Sequence, residues 1–465
     1  MIYTLSIDSF NSTFAVKPDG SKLTHHSGNR FKLFPFIANN TSEPVLDLKV
    51  LIGRYLSQIE GKEPVAFTVD GLISKLKDDP DTDIELGQEE IFVQVVRHMF
   101  FDKDGNIRPI NLKMLAQIPC TEPRECKLAD YLVDVLGDVS TLRQYISNAN
   151  KTLDTQSNAL EKFAASKLES KPTTRKAGNE YQRITNAIHK KFEMDFEYIL
   201  GARNRTRDYL IPLIEFYYFT YTAQAILQLN RFLEGNRNQC IPLYFCLEWE
   251  KTSQSRRCFT EGWNLLQDAA KRIFAHAIVL EILNQTEKGT EPVDYITLNE
   301  LINSAPGEDH RIATEIKALT NRYRNAISDC PEMTELARSE SSDRETASEI
   351  RYLFDSVRLQ FENVRTGPYS KYADKYISYC KKFLKARGRS GMMLNLSEET
   401  LIFLTKICIK DQEKMRLNDV FSEFEARGVF LDNHSKSEVM RYYEKLNLIE
   451  KKSDSGDAQY VKRIL

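Results

Sequence analysis

The 465-residue sequence predicts a mainly α, multidomain protein with a small β-containing N-terminal part and a small α+β unit at its C-terminal end. Three observations support this class. The chain is too long for one ordinary core, because domains usually hold about 100–200 residues. Apolar residues recur three and four positions apart through most of the chain, which is the helical period. The last stretch, "IEKKSDSGDAQYVKRIL", places two short apolar pairs around a Ser/Asp/Gly turn. We expect domains at residues 1–110, 111–390 and 391–465.

The first domain is expected to combine a few strands with helices. The segments "YTLSID", "TFAVKPDGSKL" and "RFKLFPF" carry short apolar alternations, and the Pro-Asp-Gly triplet at 18–20 is a turn signal. From Leu46 the apolar period becomes helical, as in "LDLKVLIGRYLSQI" and "EEIFVQVVRHMF". We therefore expect extended chain over residues 1–40 and helices after it.

The second domain is expected to be a mainly helical body. Its most apolar stretch runs from Tyr209 to Leu229 and contains Glu215 and two glutamines, which indicates a buried helix rather than a membrane span. The segment "CIPLYFCLEWE", from Cys240 to Glu250, predicts a buried strand. The polar "KTSQSRR" that follows it predicts a turn into another helix.

The sequence shows no sign of membrane insertion or export. No run of 18 or more uninterrupted apolar residues occurs, and "MIYTLSIDSF" lacks the basic and long apolar regions of a signal peptide. We expect a cytoplasmic protein with no membrane partner. The eight cysteines include no C-x-x-C pair, and several lie in apolar runs. They are expected to be reduced, structural thiols, with no metal or cofactor bound.

Charge is distributed unevenly along the chain, although the net charge is only −2. From residue 365 to 465, 20 Lys and Arg stand against 14 Asp and Glu, a net of +6. The first 364 residues hold the remaining 44 against 52, a net of −8. A basic end on an acidic body indicates an anion-binding end. The basic run "KKFLKARGRSG" adds Arg387 and Arg389 to the candidate DNA contacts.

No catalytic motif stands out, so we expect a protein that is not an enzyme. The patterns G-x-x-x-x-G-K-[ST], H-E-x-x-H and G-x-S-x-G are all absent from the sequence. Two fragments, at 47–49 and 315–317, match part of a metal-dependent nuclease site, in which carboxylates hold Mg²⁺ and a lysine positions water. An enzyme that assembles a metal site from Asp47 or Glu315 is an alternative left open.

The last seventy residues predict three helices and a hairpin. Ser397 is the expected N-cap of the first helix, and Gly428 is expected to end the second. The third helix is expected to begin at Asn433 or Ser435. A hairpin then pairs residues 448–451 with 459–463 through a turn at 453–457. One arc of the third helix is expected to face the core: Val439, Tyr442, Tyr443 and Leu446.

Three helices followed by a two-stranded hairpin resemble the winged-helix domain. In that family the third helix usually enters the major groove, while the hairpin lies along the backbone or in the minor groove. On the same helix, Glu438 and Glu444 would repel phosphate, and winged helices also dock proteins, so protein contact stays an alternative to DNA contact. The resemblance implies these DNA contacts: Ser437 and Arg441 in the groove, Lys436 and Lys445 beside phosphates, and Lys451, Lys452, Lys462 and Arg463 from the wing.

The acidic helical body, the segment "IPLYFCLEWEKTSQSRRCFTEGW" at 241–263 and the C-terminal unit together resemble the DptG family. That family belongs to the bacterial DNA phosphorothioation-dependent restriction system. The resemblance implies a non-catalytic DNA-binding and scaffolding subunit that works beside DptF and DptH on DNA lacking the sulfur modification. A winged-helix transcriptional regulator with a large helical sensor or dimerisation body is the competing function. Within the segment, Trp249 and Trp263 are either anchors of a subunit contact or core residues.

Overall fold

Most of the described chain is helical. The computed structural model describes residues 3–37, 46–65, 67–80, 82–103, 105, 107–108, 111–157, 159–175, 180–287, 290–338, 344–451 and 459–464. Within these ranges the chain forms 19 α-helices and nine short β-strands. The prediction of a mainly α protein is confirmed. None of the helices in these ranges combines the length and the apolar character that crossing a bilayer requires.

The N-terminal residues form a helix where strands were predicted. Helix α1 begins after Ser6, whose hydroxyl accepts a hydrogen bond from the Ser9 amide (3.2 Å), and it buries Phe10. This local cap and the buried ring favour a helix over the alternation seen in the sequence. The elements up to residue 175 are α1 (Ile7–Thr13), α2 (Leu48–Glu60), β1 (Lys62–Pro64), α3 (Val69–Lys77), α4 (Glu89–Phe100), α5 (Leu112–Leu115), α6 (Pro123–Val135), α7 (Val139–Gln156), α8 (Ala159–Lys167) and β2 (Ser170–Pro172).

A helical body follows, centred on the long α10. Almost every residue of α10 from Leu213 onward is buried, which confirms the prediction of a buried helix, and Pro212 lies inside it. The predicted strand after it is β3, which is buried at all four positions. The elements of the body are α9 (His189–Leu200), α10 (Arg203–Leu229), β3 (Tyr244–Leu247), α11 (Asn264–Ala270), α12 (Ile273–Leu283), α13 (Tyr295–Ile302), α14 (Glu308–Asn325), α15 (Glu345–Asn363), α16 (Thr366–Cys380), β4 (Leu384–Ala386) and β5 (Met392–Leu396).

The C-terminal elements follow the predicted order of three helices and a hairpin. Ser397 caps α17 as predicted, and its hydroxyl accepts the Thr400 amide (3.1 Å). The cap of α19 is Asp432, one residue before the predicted range, because its carboxylate accepts the Ser435 amide (3.0 Å). The elements are α17 (Glu398–Ile409), β6 (Lys414–Arg416), α18 (Leu417–Glu425), β7 (Phe430–Leu431), α19 (Asn433–Lys445), β8 (Ile449–Lys451) and β9 (Gln459–Lys462).

The strands form three small sheets in the described parts of the chain. Strands β1 and β2 pair antiparallel, and a second sheet has the order β4-β5-β3-β7, in which β3 runs parallel to both β5 and β7. The third sheet has the order β6-β9-β8 and is antiparallel throughout. Because β7 lies directly before α19, the second sheet joins the body to the C-terminal elements.

Buried charge also ties the C-terminal elements to the body. The guanidinium of Arg427 donates to both carboxylate oxygens of Asp195 on α9, at 2.6 and 2.7 Å, and only 1% of the arginine is exposed. Lys410 reaches the same carboxylate (2.9 Å), and Tyr217 donates to it (2.7 Å). One hydrophobic cluster runs from Tyr3 to Val461 around this network. The domain boundaries at 110 and 390 stay a prediction.

The cysteines differ from the prediction at one pair. Cys120 and Cys126 form a disulfide, so the expectation that all eight cysteines are reduced is wrong. Their Cα atoms are 5.9 Å apart, within the range that a disulfide spans. The other six are free, and five of them are buried.

Candidate nucleic-acid interface

Helix α19 presents one clean polar edge. Asn433, Ser437, Arg441 and Lys445 are exposed at intervals of four residues, while Ser435, Val439 and Tyr443 are buried on the other side. A four-residue interval keeps side chains on one helix face. The two predicted groove residues, Ser437 and Arg441, therefore share an accessible face. The predicted core arc holds for Val439 and Tyr443, but Leu446 lies beyond the helix end and is 42% exposed.

The N-terminal end of α19 is fixed by the chain that follows β3. Arg256 donates to both oxygens of Asp432 (2.9 and 2.5 Å), and the Ser435 hydroxyl donates to the Glu250 carboxylate (2.9 and 3.1 Å). Burial opposes ionisation of Asp432, but the hydrogen bonds from Arg256 and Ser435 hold its pKa below the usual range. Burial raises the pKa of Glu250 despite the nearby arginine. The helix is thereby held at a set angle to the body.

The two tryptophans of the same segment have different environments. Trp263 is 4% exposed and belongs to the main core. Trp249 is partly exposed, and its ring centroid lies 4.7 Å from that of Tyr442 on α19. The distinctive segment at 241–263 therefore supports α19 through a strand, a salt bridge and a ring contact, which the sequence did not indicate.

Several predicted phosphate contacts are already paired with carboxylates. Lys436 lies 2.9 Å from Glu425, Arg441 lies 2.5 Å from Glu438, and Lys451 lies 3.0 Å from Glu444, in each case between nitrogen and oxygen. Lys445 is exposed and has no ion-pair partner among the described residues. The sequence placed Glu438 and Glu444 beside these cations, and the structure shows which cation each one holds.

The hairpin carries cations on its outer face. Register pairs Lys414 with Lys462 and Arg416 with Tyr460, so these four side chains share one face, opposite the fully buried Val461. Arg463 follows on the exposed end of β9, whereas Lys452 lies outside the described residues. Sequence reasoning missed Lys414 and Arg416 because a three-residue strand between two helices gives no readable alternation.

Tyr460 makes this outer face partly aromatic. The Lys414 ammonium lies 5.5 Å from the ring centroid of Tyr460, and the Arg416 Nε donates to its hydroxyl over 3.4 Å. Lys414 also forms an ion pair with Glu450 (2.6 Å). Lys462 is exposed and donates over 3.4 Å to the Asn447 carbonyl. The face can stack on and neutralise an anionic partner, with one carboxylate on it.

Arg387 and Arg389 have different positions although they are two residues apart. The Arg387 guanidinium points inward and donates to the carbonyls of Leu247 (2.5 Å) and Glu248 (3.1 Å) beside β3. Arg389 is exposed on the loop between β4 and β5, and its carbonyl accepts from Gln254 (3.4 Å). Because Gln254 belongs to the turn that leads to Arg256, the Arg389 loop adjoins the anchored end of α19.

The nuclease-like fragments have structural partners. Asp47 caps α2 by accepting the amides of Lys49 and Val50. Glu315 pairs with Arg311 (2.7 Å) and accepts the Leu5 amide (2.8 Å). Among the described residues, neither fragment belongs to a group of side chains close enough to share a metal ion.

Comparison with known proteins identifies no relative. No family model matches the chain, and no curated protein matches it significantly. The resemblance to the DptG family therefore stays a prediction that rests on the residues quoted for it.

Proposed function

We propose that residues 391–465 form a winged helix and that the chain is a non-catalytic DNA-binding and scaffolding subunit. The observation that carries this proposal is the exposed edge of α19, with Ser437 and Arg441 on it, beside the three-stranded β6-β9-β8 sheet. A helix of this kind fits the major groove, which is about 12 Å wide. The order of helices and strands supports the winged-helix assignment because the strand before the second helix pairs with the last strand.

The ion pairs on α19 are compatible with this role. Exposed pairs contribute only about 0–1 kcal/mol each, so phosphate can replace the carboxylate partner of a surface cation at small cost. Arg441 has 69% of its side chain exposed and Lys451 has 61%, which leaves both accessible to phosphate. Lys445, Lys462 and Arg463 need no such exchange, because among the described residues none of them has an ion-pair partner.

The scaffolding part of the proposal rests on how the unit is attached. The β3–β7 pairing, the Arg256–Asp432 salt bridge and the buried Arg427–Asp195 pair join α19 and its neighbours rigidly to the body. DNA bound at α19 would therefore be held at a fixed position relative to the body. In the restriction complex that the DptG resemblance implies, this would align DNA with DptF and DptH, which supply ATPase and DNA-processing functions.

DNA binding can be tested by fluorescence anisotropy with a labelled 30-base-pair duplex at several salt concentrations. The double variant Arg441→Ala/Lys445→Ala is expected to bind at least about tenfold more weakly, and to lower the slope of log K against log salt by about 1.8, or ~0.9 for each lost phosphate contact. Lys317→Ala, an exposed lysine on α14, is the control and should bind like the wild type. Equal affinities for all three proteins would refute contact through α19.

The partner proposal needs a separate measurement. Co-expression of the tagged chain with DptF and DptH should give a complex that survives gel filtration. Recovery of a homodimer that binds a palindromic duplex, with neither partner attached, would instead favour a transcriptional regulator.

A further inference from the structure

A second group of side chains lies just behind the anchored end of α19. Cys246 is on β3, Glu250 is three residues beyond it, and Cys258 begins the turn that leads to α11. The two sulfur atoms and a carboxylate oxygen all lie within 4.8 Å of one another. Both cysteines are 0% exposed and Glu250 is 5% exposed. The chain reverses between Glu250 and Cys258, which is why donors twelve residues apart converge.

These three donors form a ligand set that suits zinc. Zn²⁺ is held in proteins by Cys sulfur, His nitrogen and carboxylate oxygen, and two thiolates favour zinc over the hard cations Mg²⁺ and Ca²⁺. Three protein donors leave the fourth tetrahedral position for water. Tyr244 and Met393 are buried beside the two cysteines and give the group an apolar surrounding.

The neighbours of the group are those that a zinc site uses. The Arg387 guanidinium donates to the Cys246 sulfur (3.4 Å), and its Nε is buried with no partner among the described residues. Such donation stabilises a thiolate, and the Cys246 pKa is lowered by hydrogen bonding to Cys258 and by Arg387. Ser435 and Arg256 hold the Glu250 carboxylate in place, as outer partners of metal ligands do.

Charge balance allows the exchange of two protons for one metal ion. With both thiols protonated, Glu250 and Asp432 balance Arg256 and Arg387. When Zn²⁺ binds and the two thiol protons leave to solvent, two positive charges are lost as protons and two are gained as metal. The buried group is therefore neutral in both states, which is the condition for keeping charged side chains away from water.

We propose that Cys246, Cys258 and Glu250 bind one Zn²⁺ ion. The ion would join β3 to the start of the turn before α11, and through Glu250 and Ser435 it would fix the N-terminal end of α19. The inference corrects the expectation of a metal-free chain, and it stands independently of DNA binding.

The test uses the full-length protein, kept reduced, stripped with a chelator and titrated with Zn²⁺ against a chromophoric competitor. We expect one Zn²⁺ per chain and release of close to two protons per ion in weakly buffered solution. Cobalt(II) in place of zinc should give the near-ultraviolet absorption of a thiolate-to-metal charge transfer. Absence of this absorption in the wild type would overturn the proposal without reference to any variant.

Variants locate the site. Cys246→Ser and Cys258→Ser should each weaken zinc binding by more than the ~10–100-fold that loss of an outer partner causes, and Glu250→Gln by at least about tenfold. Cys380→Ser and Cys408→Ser, at buried free cysteines elsewhere, are the controls and should bind like the wild type. Zinc binding that all three ligand variants retain would overturn the assignment. So would a Cys246–Cys258 disulfide that, once reduced, yields a protein unable to bind zinc.

Discussion

Residues 365–390 and residues 391–465 differ sharply in charge and in shape. The first segment holds eight Lys and Arg against one acidic residue, and the second holds 12 against 13. The net charge of +6 found in the sequence for residues 365–465 therefore comes from α16 and the chain up to the β4–β5 loop, at +7, while the C-terminal unit has −1. The unit that has the shape of a DNA reader carries no excess charge.

This difference indicates a division of roles between two segments of one surface. The second sheet joins them, since β4 and β5 pair with β3, and β3 pairs with β7 just before α19. Arg389 of the charged segment lies on the loop that contacts Gln254, whose turn also holds the end of α19. We infer that the charged segment supplies attraction for the phosphate backbone, while α19 supplies the contact in the groove.

The largest expected effect comes from separating the C-terminal unit from the body. Arg427→Ala leaves the Asp195 carboxylate buried with only Lys410 and Tyr217 to compensate, so we expect a loss of about 3–5 kcal/mol in the free energy of unfolding. Urea denaturation followed by circular dichroism measures it. Arg358→Ala on α15, whose ion pairs are exposed, is the matched control and should lose about 0–1 kcal/mol. Equal losses for both variants would show that the buried pair does not hold the unit to the body.

A medium effect is expected from removing cations of the charged segment. The triple variant Lys381→Ala/Lys385→Ala/Arg389→Ala should bind a 30-base-pair duplex about tenfold more weakly and lower the salt slope by up to ~2.7, which is three contacts at ~0.9 each. Fluorescence anisotropy from low to moderate salt measures both quantities. The counterpart is Arg441→Ala/Lys445→Ala/Lys462→Ala in the C-terminal unit. If only the counterpart changes the slope, the charged segment lies off the DNA path.

The smallest effect should come from releasing one cation on α19. Glu438→Gln removes the carboxylate that lies 2.5 Å from the Arg441 guanidinium, so DNA affinity should rise about two- to threefold, as expected for an exposed pair worth about 0.5 kcal/mol. Glu399→Gln, at an exposed position on α17, is the control for the change in net charge. Equal gains for the two variants would mean that overall charge, and not Arg441 itself, sets the affinity.

The C-terminal elements were predictable because short-range patterns determine them. Helical periods and the Ser397 cap gave the three helices, and apolar pairs around a turn gave the hairpin strands. Helix α1 was missed because the buried Phe10 and the Ser6 cap outweigh an alternation of only a few residues. Local patterns thus specify elements whose packing agrees with their own period.

Long-range contacts account for what the sequence did not reveal. Arg387 looked like a phosphate contact because it lies in a basic run, but the carbonyls that it binds come from residues about 140 positions earlier. The convergence of Cys246 with Cys258 depends on the reversal of the chain after β3, and their spacing matches no short metal motif. Contacts of this kind are set by the tertiary fold, to which no single stretch of sequence gives access.

The most direct measurement of the central claim is hydrogen–deuterium exchange of the full chain with and without a 30-base-pair duplex. The account expects slower exchange on DNA binding in α19, in the exposed end of β9 and in the β4–β5 loop with Arg389, with no change in α14. Protection confined to the N-terminal helices, or no protection in α19 at saturating DNA, would contradict it.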